Sequence, residues 1–230
     1  LRTEASSAEK KTALTMVPVD AIFKVEFAAL ETLPEHQKGI RNEYEKYVHG
    51  LMNAVSVWLG YSDVSKTDRQ KLAKAVRKVD ERELFSYVSE VFHKDFKASI
   101  EGEKMLAIAI RENIFNCYSS SVLLADAITR LGKQVNIILA LGHVLLCGEK
   151  YAFETTDGNT ESAIYEKVYL NSNYNWWQEA DLWKLLSIAY GWAGVIFDDT
   201  RRYDEALEAY NEAIKINLDY AEAWNNKGVT

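Results

Sequence analysis

Cys117 follows Asn116 and opens the run Tyr118-Ser119-Ser120-Ser121, with His143 and Glu154 further along the chain. A cysteine sulfur acts as a nucleophile in its thiolate form, which the positive end of a helix macrodipole stabilises. A histidine in contact can hold the proton, and a carboxylate can fix that histidine's tautomer and orientation. These residue types, in this order, are the components of thiol acyl transfer. Asp157, just beyond Glu154, is a rival for the acid position.

The local pattern predicts the elements that would carry them. After Cys117 the apolar residues Leu124, Ile128 and Leu131 recur at steps of four and three, which gives one buried helix face. Asn116 is a favoured N-cap, and Gly132 stands where a helix would end in a left-handed turn. The runs 135–141, 143–147 and 151–156 are short and β-rich, and Gly148-Glu149-Lys150 punctuates the last two as a hairpin connection. A turn centred between 148 and 149 leaves His143 and Glu154 equally far from it. They would then face each other at about 5 Å, and a register slip of one residue would part them.

The segments Asn116 to Gly132, Gly142 to Leu146 and Phe153 to Thr156 resemble the cysteine helix, histidine strand and acid strand of the transglutaminase-like superfamily. That superfamily shares a papain-like Cys, His, Asp core, and includes protein cross-linkers, peptidases, amidases and inactive relatives. The resemblance covers about residues 100–170. It implies Cys117 as nucleophile, His143 as general base and acid, and Glu154 in the acid position. Two departures stand out: the family carries Asp where Glu154 stands, and Val144 and Leu145 replace the aromatic that often follows the histidine.

A second pattern lies near the other end. Tyr190 and Trp224 are 34 residues apart, as are Gly194 and Gly228, with Ala206, Tyr210 and Ala213 between them. Small residues where two helices touch, repeated at that period, resemble tetratricopeptide (TPR) repeats from about 187 to 230. Leu218 replaces the usual proline. Repeats of this kind bind proteins or peptides, so a protein or peptide partner is expected, and the array is expected to continue in a longer chain.

The fold class expected is α+β. It comprises a flexible lead-in over 1–17, a transglutaminase-like domain with N-terminal helices over 18–180, and the start of an all-α TPR array over 181–230. Helices are predicted from Val19 to Leu33, from Glu35 to Leu59 after the breaker Pro34, from Thr67-Asp68 to Val79, and from Asp80 to Phe92. Tyr165, Tyr169, Tyr174, Trp176 and Trp177 read as a packing joint or the wall of a substrate cleft.

Composition narrows the function classes. Hydrophobic residues make up 48% of the chain, enough for a core. The net charge of −7, with 27 basic against 34 acidic residues, argues against a nucleic-acid partner. Two cysteines are too few for a disulfide framework, and a Cys117–Cys147 bridge would abolish the nucleophile. Cys147, inside an apolar run, reads as core. No metal ligand set or cofactor fingerprint is visible, so neither is expected. No apolar run is long enough to span a membrane. The chain starts at Leu1, so a preceding piece and any signal peptide would be out of view; a cytoplasmic setting is favoured. Hydrolysis is preferred to cross-linking, because water competes unless a site excludes it.

Overall fold

Among the described residues four helices precede the cysteine segment's own scaffold, and three of them have a visible reason to start where they do. The computed structural model describes residues 18–98, 105–140, 143–156, 164–166 and 177–230. Helix α1 spans Pro18–Ala29 and α2 spans Pro34–Trp58. Pro34 breaks the chain before α2 and also opens it, since a proline at the first helical position lacks only an N–H that would be unpaired anyway. Tyr44, Val48, Leu51 and Val55 then recur at helical spacing and are buried. Helices α3 (Arg69–Lys78) and α4 (Glu81–Asp95) are capped by the side chains of Asp68 and Asp80.

The next short elements deliver the chain to Cys117. Strand β1 (Lys97–Ala98) pairs in parallel with β2 (Ile114–Phe115), and α5 (Leu106–Glu112) lies between them. Helix α5 ends at Asn113, which adopts a left-handed φ of 57°. Its first amides are held by Glu26 of α1, whose carboxylate accepts Leu106 N–H at 2.9 Å and Ala107 N–H at 2.7 Å. Helix α6 (Cys117–Arg130) follows and ends as expected at Gly132, with φ 89°. A Cβ at Gly132 would also come within 2.6 Å of Ala73 Cβ, so conformation and space both require glycine there.

The sheet is antiparallel, in the order β6-β5-β4-β3-β7. Its strands are β3 (Asn136–Ala140), β4 (His143–Cys147), β5 (Tyr151–Phe153), β6 (Ile164–Glu166) and β7 (Trp177–Ala180). The three central strands fall within the predicted β-rich runs; β6 and β7 were not distinguished in the sequence. Val144, Leu146 and Phe153 join the main core with α6, and Phe153 stacks on Phe85 of α4 at 5.6 Å. Leu145, Cys147 and Ala152 form a separate small cluster with Ile138. The two sets alternate along the strands, as period two demands.

The predicted turn centre is displaced. Leu146 pairs with Phe153 and Cys147 with Ala152, so the loop is Glu149-Lys150 and Gly148 closes the ladder through its N–H to Tyr151 O at 2.9 Å. The cause is Glu81 at the start of α4. Its carboxylate accepts the N–H groups of Glu149, Lys150 and Tyr151 at 2.7, 3.0 and 3.2 Å, which fixes the turn around those residues. Extended past β5, this register would set His143 opposite Thr156 rather than Glu154. The displacement is two residues, so the face on which Glu154 lies is unchanged.

Three helices complete the chain: α7 (Leu182–Asp199), α8 (Tyr203–Ile216) and α9 (Ala221–Val229). Helices α7 and α8 form a tight hairpin in which Gly194 faces Tyr210, where a Cβ would meet the ring at 2.4 Å. The other side of α7 packs on α1, and Ala29 of α1 shares one core with Ala193, Ala206, Tyr210 and Ala213. The molecule is thus mostly helical, with a small antiparallel sheet and a C-terminal helical repeat region.

Candidate functional site

Asn116 builds the start of α6. Its side-chain oxygen accepts the N–H groups of Tyr118 at 3.1 Å and Ser119 at 3.0 Å, while its own N–H donates to Ser119 Oγ at 3.0 Å. This reciprocal capping box satisfies the amides of the first turn. It leaves out the Cys117 N–H, which lies on the same residue as the sulfur. Cys117 is half-buried and Cys147 is buried, and neither is in a disulfide.

His143 opens β4, and Glu154 directly follows β5. Glu154 Oε2 meets His143 Nε2 in a close hydrogen bond. The Cys117 side chain also hydrogen-bonds the imidazole, so His143 engages both the thiol and the carboxylate. Glu154 Oε1 accepts Thr156 N–H at 3.1 Å and its hydroxyl at 2.7 Å, which holds the carboxylate in line. The structure therefore brings Cys117, His143 and Glu154 together. Asp157, the rival acid, lies outside the described residues, as do Tyr169, Tyr174 and Trp176. Tyr165 falls on β6 and Trp177 on β7.

Electrostatics follow from this contact. Burial disfavours a charged imidazole, but the bonds and charges of Cys117 and Glu154 outweigh it and push the His143 pKa up to about 10. Burial likewise works against the Glu154 carboxylate, yet His143 and the two Thr156 bonds hold its pKa below the ordinary value. The pair is charged at neutral pH.

The group that ties these elements together is not among the candidate residues read from the sequence. Thr155 is fully buried, with Oγ1 2.7 Å from Ser120 Oγ and 3.2 Å from Ser121 Oγ. Ser119, Ser120 and Ser121 are also fully buried. The available signal was the serine run itself: buried hydroxyls need partners, so three in succession near a helix start announce a polar contact with something distant. Tyr118 is the second unforeseen residue. Its ring packs edge-on against Trp192 of α7 at 4.7 Å, linking the residue after the cysteine to the repeat region. A separate cleft bounded by Arg77, Glu81, Lys133 and Tyr151 contains none of the three site residues.

Among the described residues no cluster of histidine, cysteine and carboxylate side chains could hold a metal ion, and no helix is long and apolar enough to cross a membrane. Comparison with known families matches residues 200–230 to the TPR repeat. No curated protein and no solved structure matches the chain.

Proposed function

We propose that this chain is a thiol-dependent acyl-transfer module of the transglutaminase-like kind, joined to a TPR segment that recruits a protein or peptide. The observation that supports it is the position of His143, hydrogen-bonded to both Cys117 and Glu154. A cationic imidazole beside a sulfur at a helix N-terminus favours the thiolate. The thiolate attacks an amide carbonyl, and the oxyanion is met by the Cys117 N–H that the Asn116 cap leaves free. His143 gives its proton to the leaving amine as the C–N bond breaks, and a thioester remains on Cys117. Water then attacks the thioester, and His143 takes its proton as the thiolate departs. Glu154 keeps the imidazole oriented and stabilises its charge throughout. An amine in place of water would make the same site a cross-linker; hydrolysis is the preferred outcome because nothing described excludes water.

The TPR repeat by itself supports a second reading, in which the Cys–His–Glu group is silent and the chain is a binding or scaffolding protein. Incubation with p-nitrophenyl acetate separates the two. The enzyme reading expects an acetyl thioester on Cys117 by mass spectrometry and a burst of nitrophenolate, both lost in Cys117→Ala. Acetylation of Cys117 no faster than that of a small free thiol would rule for the silent module.

A further inference from the structure

We infer that Thr155 is a positioning residue: its buried hydroxyl bolts the segment carrying Glu154 to the first turn of the cysteine helix and so sets the Cys117–His143–Glu154 spacing. This inference rests on the acyl-transfer reading and adds a residue to it.

The need for such a bolt is visible in the backbone. Strand β5 ends at Phe153, and among the described residues no ladder pairing extends to 154–156. Glu154 thus sits on chain that the sheet does not hold. A carboxylate there could meet His143 only if something else fixed its backbone.

Thr155 supplies that something, and the direction of each hydroxyl proton follows from the inventory of donors. A serine hydroxyl has one proton. That of Ser120 goes to the carbonyl of Asn116 at 2.6 Å, the shortest of its contacts. Ser120 Oγ must then accept from Thr155 at 2.7 Å. Ser121 in turn donates to Thr155 Oγ1 at 3.2 Å. The chain Ser121 to Thr155 to Ser120 to the Asn116 carbonyl runs one way, each bond polarising the next. Its far end is the residue whose side chain caps Cys117's helix. Thr155 Oγ1 also lies 3.4 Å from the carbonyl of Cys117 itself. Through Ser120, one fully buried hydroxyl therefore couples the residue after the acid to the carbonyl of the helix cap, beside the nucleophile.

Thr155 touches no reacting atom. Without its hydroxyl, Ser120 and Ser121 lose a buried partner, and the Glu154 segment is released from α6. Glu154 then holds His143 less firmly, and the imidazolium is no longer fixed in place beside the sulfur.

The test is the pH profile of Cys117 alkylation by iodoacetamide in residues 1–230, followed by mass spectrometry, for the unaltered chain, Thr155→Val and Thr155→Ser. Thr155→Val should react about ten-fold more slowly at pH 7, the scale of one buried hydroxyl left unpaired, with its profile moved to higher pH. Thr155→Ser should restore both. Tyr44→Phe, which removes a buried hydroxyl bond to Asp126 elsewhere on α6, should leave the profile in place. If Thr155→Val does not fold, Ser120→Ala cuts the same chain from the helix side and takes the same expectation. A Thr155→Val profile that superimposes on the unaltered one overturns the inference alone. A Cys117 that reacts throughout like N-acetylcysteine in the unaltered chain overturns the acyl-transfer reading and this inference with it.

Discussion

Glu154 reaches His143 diagonally across the β4–β5 hairpin, from two positions short of the residue that the ladder register would set opposite it. The reach is possible because side chains two apart on a strand share a face. A glutamate also extends one methylene further than the aspartate expected by resemblance. The longer acid and the diagonal placement fit together.

Stability should report this contact through pH. The His143 pKa is raised from 6.5 to about 10, so its contribution is complete below about pH 6.5 and is lost as pH rises through about 10. Glu154 is held below its ordinary value, so its contribution is present above about pH 4.5 and lost as pH falls below that range. The difference in melting temperature between the unaltered chain and His143→Ala should thus be greatest near pH 5 to 6 and shrink toward pH 10. Thermal unfolding at several pH values checks it; a difference that grows with pH would contradict the assignment.

Glu26 should behave in the opposite sense to a paired carboxylate. It is fully buried, and burial outweighs its two backbone bonds to raise its pKa from 4.5 to about 8. Between those values the folded state keeps a proton that the unfolded chain has released, so stability falls as pH rises, by at most about 1.4 kcal/mol per unit. Glu26→Gln removes that titration and should flatten the decline. Chemical denaturation of both proteins at pH 5 and pH 8 measures the change in slope.

The two glycines at matching repeat positions should respond differently to alanine. At Gly194 a Cβ would fall 2.4 Å from the Tyr210 ring, and Gly194→Ala should cost about 1–3 kcal/mol by overpacking. At Gly228 nothing lies within 4 Å of the added carbon. Gly228→Ala should be neutral or stabilise α9 by up to about 1 kcal/mol, since glycine is the poorer helix former. Paired melting curves decide it; equal losses at both positions would contradict the packing described for α7 and α8.

Much of this arrangement was legible in the residues, for identifiable reasons. Asn116, Gly132, Asp68 and Asp80 act locally, through their own turns, so the helix ends could be read where they occur. The 34-residue period was legible because small residues must recur where helices touch. What depends on distant partners was not. The hairpin loop follows from Glu81, more than sixty residues before the turn. Thr155 reads as an ordinary strand residue until Ser120 and Ser121 face it. Strand β7 pairs with β3 across a long separation in sequence, and nothing in Trp177–Ala180 alone marks it as a strand.

The central claim is that Cys117, His143 and Glu154 act as one unit. The rate of iodoacetamide modification at Cys117, at pH 7, in the unaltered chain and in His143→Ala tests it most directly. Cys117 should react faster than a small free thiol and fall to that level without His143. Equal rates in the two proteins would contradict it.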